Sequence, residues 1–461
     1  MMNVTFLTSL RSLLCFGSAA ACLLLSAQSV SAESLKESVA DALSYNPEID
    51  GAYFDREAEE ATLREKRSDY YPRLNANTSA GRVYGDNATS RGTLTTRGAA
   101  YSNMWDASFT ATETLFNMFR TGHLVDAAKS RVEAAKLSRA DVEETVALQT
   151  VVAYLDILRA DSVLEKAKAH AARIKDTKSK VALMVDNGAA DESELHLVEQ
   201  VEVDLRKLVT ELEGQVRDAR IRYVQHTGRP PYGELTVPEN DFSARIPADM
   251  EAAVVKAGSA HPQVRATDGL VEAGKSEVEA ERATYYPTVE GEISAYKRDW
   301  EEELGGEVID NRAVVRLNWD FETGGATAAR VARERAEVNR AITDKETARR
   351  RVEALVRQAY NEKDTSSRLM KIASEKYDAN NGLLGTYRKQ FEGGVIRLPQ
   401  LLRTENDVFL AEIDKITLGY RMMSADYAIL SAMGELRQSL GVAAKITGTE
   451  EETASYKDKN E

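Results

Sequence analysis

The sequence predicts a mostly α-helical protein with a smaller β part, built from one unit repeated in tandem. The first observation is repetition. Asn46-Pro47-Glu48-Ile49, followed by Tyr70-Tyr71-Pro72, returns 215 residues later as His261-Pro262-Gln263-Val264, followed by Tyr285-Tyr286-Pro287. Gly188, Leu195, Glu199 and Gly228 likewise recur 206 residues on as Gly394, Leu401, Glu405 and Gly434, which makes a unit of roughly 200 residues the building block. The second observation is that none of the nine prolines falls in 73–229 or in 288–398, so very long helices or strands can form there. The third is a change of apolar period, from helical to two and back, inside each copy.

Each copy opens with a broken helix. In 34–69, Leu35, Val39, Ala42 and Leu43 share a face, Asn46-Pro47 interrupts, and an Ala-, Glu- and Arg-rich stretch continues to the Tyr-Tyr-Pro stop. Proline ends the helix because it pushes the preceding residue out of the helical region. Residues 261–284 repeat the pattern.

Strands follow. In 105–113, Trp105, Ala107, Phe109 and Ala111 alternate with polar residues, and in 313–321 so do Ala313, Val315, Leu317, Trp319 and Phe321. Weaker strands are expected at 73–83 and 288–298, with a loop over 84–100 in the first copy and an acidic loop over 299–310 in the second. Strands of about 9–11 residues with one apolar face suit the wall of a transmembrane barrel. The alternative is a soluble sandwich or hairpin, for which the rest of the sequence offers no core.

A helical hairpin closes each copy. Residues 123–187 contain neither Pro nor Gly, and 65 residues of helix span about 97 Å. The partner helix, 191–225, carries Leu195, Val198, Val201, Leu205, Leu208, Leu212 and Val216. In the second copy Phe409, Ile413, Ile416, Tyr420, Met423, Tyr427 and Leu430 step by four and three, the heptad spacing of coiled-coil packing. Asn187-Gly188 and Gly393-Gly394 make the turns, and Pro399 suits the first turn of the returning helix.

These elements divide the chain into a signal (1–32), a first repeat (33–228), a proline-dense linker (229–250), a second repeat (251–441) and a polar tail (442–461) expected to be disordered. In the signal, Arg11 precedes an apolar stretch over 13–25, and Val30-Ser31-Ala32 offers a cleavage site near Ala32. Both cysteines, Cys15 and Cys22, lie inside it, so the mature chain has no thiol. Lipidation at Cys22 is the lesser alternative, because Ala19-Ala20-Ala21 is a poor match and Leu23-Leu24-Leu25 continues the apolar run.

The net charge of −14 argues against nucleic acid as a partner. The mature chain holds no apolar run of about 18 residues, so any membrane crossing falls to strands. The five histidines are scattered with no pair at helical spacing, and no phosphate loop or nucleophile elbow is present. No metal, no cofactor and no enzymatic activity are expected. Four strands per chain cannot close a barrel around a passage, and open edges are not tolerated in lipid. Several chains must therefore pool their strands, two giving eight and three giving twelve.

The paired Asn-Pro-Glu-Ile and His-Pro-Gln-Val segments, the Tyr-Tyr-Pro stops and the glycine-initiated hairpins resemble the TolC-type outer-membrane efflux proteins over nearly all of 33–441. The resemblance implies a homotrimer, with a twelve-stranded β-barrel in outer-membrane lipid joined to a periplasmic α-barrel of helical hairpins. It further implies export without chemical change, together with a periplasmic adaptor protein and an inner-membrane transporter. Trp105, Phe109, Val315, Leu317 and Trp319 would then face lipid. Adaptor tips would meet the turns at Gly188-Ala189 and Gly394-Val395.

The family pattern has two aspartates one helical turn apart after the second turn, and a tyrosine that latches the closed state. Here the matching positions carry Gln400, Arg403 and Phe391, while the same offset in the first copy lands on Glu194. These four residues are the aperture candidates. The expected role is a duct for type I protein secretion. Multidrug efflux is the alternative, and a soluble periplasmic coiled-coil scaffold is the alternative of a different class.

Overall fold

The computed structural model describes residues 32–85, 100–239, 245–300 and 307–442. The signal segment up to 31, the polar tail from 443, and the central parts of the two expected loops lie outside the described residues.

Local chemistry sets each element. Helix α1 (Leu35–Tyr45) starts at a capping box, in which Ser34 Oγ accepts from the Glu37 amide and Glu37 accepts from the Ser34 amide. The break at Asn46-Pro47 is present, and α2 (Pro47–Ser68) follows with Asn46 as its cap. Strands β1 (Arg73–Gly85) and β2 (Ala100–Phe116) come next, then the hairpin α3 (Arg120–Asp186) and α4 (Glu192–Thr227). The second copy repeats the order: α5 (Met250–Ala260), α6 (Pro262–Arg282), β3 (Thr288–Trp300), β4 (Glu307–Asn318), α7 (Ala326–Glu392) and α8 (Leu398–Ala432). A short α9 (Leu436–Leu440) ends the described chain.

Helices α3 and α7 are each 67 residues long, about 100 Å, and start 206 residues apart, so the sequence repeat is also a structural one. Both begin after a left-handed residue. In the second copy this is Gly325 at φ +74°, in the first Phe119 at φ +62°, a conformation that L-residues with large side chains rarely adopt.

The four strands form one antiparallel sheet in the order β1-β2-β3-β4. The register pairs Ala76 with Phe109, Phe109 with Ala295, Ile293 with Ala313 and Val289 with Leu317. Leu74, Trp105, Phe109, Ile293, Val315 and Leu317 therefore share one face, because paired residues project to the same side. That face is uncovered: Leu74, Ile293, Val315 and Leu317 are each at least 64 % exposed. The other face is polar, with Arg316 on Glu292 at 2.8 Å and Ser79 hydrogen-bonded to Asp106.

The strands differ from expectation at their ends. β3 and β4 run into the segment expected to be an acidic loop, so Asp299, Glu307 and Asp310 are strand residues. β4 stops at Asn318, which leaves Trp319 and Phe321 outside it. The last pair is Thr288 with Asn318, and Pro287, just before Thr288, has no N–H to extend the ladder. Trp319 instead donates from Nε1 to the Tyr285 carbonyl at 3.2 Å and packs on Phe321.

The largest core cluster joins the two copies. Val39 and Leu43 of α1 pack with Tyr154 of α3 and Tyr223 of α4, and with Tyr427 and Leu430 of α8. Glu33 fastens the linker to it. Its carboxylate accepts from Tyr223 Oη (2.6 Å), Ser38 Oγ (2.9 Å), Arg229 Nη2 (3.0 Å) and the Tyr232 amide (2.8 Å). Burial alone would raise this carboxyl, but the hydrogen bonds from Arg229, Tyr223, Tyr232 and Ser38 outweigh it and hold Glu33 below the usual range.

Candidate functional site

The two hairpin turns are built alike. In the first, the Ala189 amide reaches back to the Met184 carbonyl (2.7 Å) and the Gly188 amide to that of Val185 (2.9 Å). In the second, Val395 donates to Gln390 (2.8 Å) and Gly394 to Phe391 (3.0 Å). Each is a Schellman closure that satisfies the last carbonyls of the long helix. It requires a left-handed residue, supplied by Gly188 and Gly394, both at φ +71°. Val395 stands 74 % exposed at the second tip.

The returning helices differ in charge. α4 starts with Glu192 and Glu194 in its first turn, where the helix dipole favours anions. α8 starts at Leu398-Pro399-Gln400, has no acid in its first turn, and is preceded by Arg397. Glu194 is half-buried, whereas Gln400 and Arg403 are exposed. Phe391, the position of the expected latch, packs apolar: it lies against a cluster of Ile174, Val181, Val198, Leu205, Leu398 and Leu402. Leu398 is fully buried there, so the start of α8 is clamped between the two hairpins. The four aperture candidates thus fall on both hairpin tips, with Phe391 in the seam between them.

Sequence reasoning missed the ion pairs behind the tips. In the first copy Lys178 of α3 bridges Glu199 (3.3 Å) and Glu202 (3.0 Å) of α4. In the second, Arg388 of α7 donates from Nη2 (2.8 Å) and Nε (3.2 Å) to Glu405 of α8. Glu199 and Glu405 occupy the same place in the repeat. Glu199 is partly exposed, while Glu405 is buried. The sequence carried a signal for this, since Glu405 sits on the apolar stripe between Leu401 and Phe409. A cavity of about 620 Å³ lies beside the pair, lined by Arg173 and Lys180 of α3, Phe391 of α7 and Leu401 of α8.

Among the described residues no group of His, Cys, Asp and Glu could hold a metal ion, and no helix is long and apolar enough to cross a membrane. What the arrangement offers is a pair of braced hairpin tips below a sheet with one exposed apolar face.

Comparison with known proteins agrees with this architecture. The outer membrane efflux protein BepC of Brucella suis biovar 1 (strain 1330) is 22 % identical over 349 residues, 75 % of each chain. The Campylobacter jejuni CmeC outer membrane channel superposes with a TM-score of 0.74 at 14 % identity, covering 92 % of this chain and 89 % of that one. VceC of Vibrio cholerae gives 0.73 at 14 % identity, over 87 % and 96 %. The open state of the Neisseria gonorrhoeae MtrE channel gives 0.69 at 17 % identity, over 90 % and 91 %. These likenesses establish the fold of an outer-membrane efflux channel. The sequence profile of one family, described as outer membrane efflux protein, matches residues 39–229 and 253–435, and the chain belongs to that family of channels of efflux and secretion systems.

Proposed function

We propose that three copies of this chain form one outer-membrane duct for efflux, with the hairpins extending into the periplasm. The observation that carries this reading is the four-stranded sheet, whose apolar face is exposed and whose edges, β1 and β4, have no partner within the described chain. Lipid tolerates an apolar face but not open edges. Joining β4 of one copy to β1 of the next closes twelve strands and pairs every edge. Trp105, Phe109, Val315 and Leu317 then contact hydrocarbon, and Trp319 sits at the base of the wall, where an aromatic girdle belongs.

The turns at Gly188-Ala189 and Gly394-Val395 are the contacts for a periplasmic adaptor protein, which links the duct to an inner-membrane transporter. Processing near Ala32 would make buried Glu33 the first residue of the mature chain. Efflux is favoured over the type I secretion expected from the sequence because the family and BepC are both named for efflux. Deleting the chain from its host tests the choice. Efflux requires intracellular accumulation of a lipophilic dye with an unchanged set of large secreted proteins. Loss of secreted proteins with normal dye extrusion would reverse the assignment.

A further inference from the structure

The two copies dock the start of their second helix on the end of their return helix in the same way, but with different residues. In the first copy, Asn46 Oδ1 accepts from the Glu48 amide (2.9 Å) and Nδ2 donates to the His226 carbonyl (3.4 Å) near the end of α4. In the second copy His261 takes that place. Its Nδ1 accepts from the Gln263 amide (3.2 Å), and the ring bonds the Ser431 carbonyl near the end of α8. An imidazole that accepts at Nδ1 carries its one proton on Nε2, so the neutral ring satisfies both contacts. The joint is tight. Gly434 is left-handed at φ +72°, and a Cβ there would lie 2.6 Å from Pro262 Cδ. From α3, Asp141 Oδ1 stands 3.7 Å from His261 Nδ1.

We propose that His261 makes this joint an acid-sensitive hinge, in which a proton on Nδ1 removes the cap of α6 and exchanges it for an ion pair with Asp141, while Nε2 stays on the Ser431 carbonyl. A protonated Nδ1 cannot accept from the Gln263 amide. Asn46 cannot titrate, so acid removes the cap at one joint of the two; His226, the ionisable residue at the other, which burial lowers and the Glu48 charge raises, holds Asn46 only through its backbone carbonyl.

The surroundings define when this happens. Asp141 and Glu144 of α3 and Arg351 and Glu362 of α7 line a cavity of about 690 Å³ beside the ring. Glu144 is bound by Arg437, and Glu362 by Arg421. Lys256 of α5 pairs with Glu435 beyond α8 at 2.5 Å, and Arg265 on α6 is exposed. Asp141 is therefore the carboxylate that faces Nδ1. Burial lowers His261, and the Asp141 charge and the Ser431 carbonyl oppose it only in part. Burial likewise raises Asp141. A histidine lowered in the folded state keeps its full contribution above about pH 6.5 and loses it as pH falls from there toward the folded value.

Amide hydrogen exchange on the detergent-solubilised full-length protein, followed in steps from about pH 7.5 down to about 4.5 and corrected for intrinsic rates, reads the joint directly. The expected result is roughly fivefold faster exchange at the amides of Gln263, Val264 and Arg265 in acid, the size of a lost cap, with no matching change at Glu48 and Ile49. His261→Asn installs the first copy's residue and abolishes the rise. Should that variant fail to assemble, Asp141→Asn moves the rise to lower pH, because the carboxylate that favours the imidazolium is gone. Wild-type protein with no rise, a His261→Asn variant with the same rise, or an unshifted Asp141→Asn would each overturn the hinge.

Discussion

Arg388 places its guanidinium on a single oxygen of Glu405, with Nη2 at 2.8 Å and Nε at 3.2 Å, and so ties α7 to α8 just behind the second hairpin turn. The Glu405 side chain is 5 % exposed and that of Arg388 47 %. Breaking a fully buried pair costs about 3–5 kcal/mol, and solvent at the arginine reduces that here to roughly 1–2 kcal/mol. Arg388→Ala strands a buried carboxylate and loosens the tip, so planar-bilayer recordings should show more frequent openings. Glu405→Gln leaves no buried charge and should have less than half the effect. Identical recordings from wild type and Arg388→Ala would remove the pair from the closed state.

The charge at the tips differs between copies, with Glu194 opening α4 and Arg403 exposed on α8. If both line the aperture, three positive and three negative side chains share it, and rings of charge set ion preference. Reversal potentials in a salt gradient should show weak cation selectivity, raised several-fold by Arg403→Asp. Strong cation selectivity that Glu194→Gln abolishes and Arg403→Asp leaves untouched would exclude a role for the arginine.

Gly394 and Gly434 are both left-handed, but their surroundings differ. Nothing lies near a Cβ built on Gly394, whereas one built on Gly434 runs into Pro262. Gly394→Ala should cost about 1 kcal/mol from backbone conformation alone. Gly434→Ala adds overpacking, for a total of about 2–4 kcal/mol. Thermal unfolding in detergent should therefore show the larger loss for Gly434→Ala. Equal losses would mean that the α8–α6 joint is slack.

His170 is 1 % exposed and stacks on Phe409 with ring centroids 4.5 Å apart, and its Nδ1 has no hydrogen-bond partner among the described residues. Burial, with a smaller effect from Arg173, pushes it down to about 4. Because the folded value is below the unfolded one, stability is full above about pH 6.5 and falls as pH drops toward about 4, by roughly 3 kcal/mol. Denaturation midpoints measured across that window should fall in wild type and flatten in His170→Phe. A flat wild-type curve would contradict the burial of a neutral ring.

The hairpins were legible in the sequence because long stretches without proline and glycine have few other folds, and the glycines that end them stand at equal spacing. The ends of the strands were not. Trp319 and Phe321 continue the alternation of β4 in sequence, but pairing depends on the neighbouring strand, and Pro287 ends it at Asn318. The acidic segment before β4 concealed strand residues for a related reason: Glu307 lies opposite Asp299 and binds Lys297 at 2.6 Å, so charge here marks the rim of the sheet and not a loop. Most charged residues on the long helices lie at the surface, as helical spacing of acids beside Lys and Arg suggests. Glu143, Glu144 and Glu405 are the exceptions, since each is buried against an arginine that lies distant in sequence or on another helix. Asn46 and His261 were visible as landmarks of the repeat, but not as caps that hold the ends of α4 and α8. Phe391 marked the position of a latch, and the structure shows it packed among leucines and valines in the seam between the hairpins.

The central claim, a duct closed by three copies, is tested most directly by the native mass of the particle that detergent releases from outer-membrane fractions. Three chains per particle is the expected result, because only that number turns four strands per chain into twelve. A single chain, or a chain that carbonate or high salt releases without detergent, would contradict it.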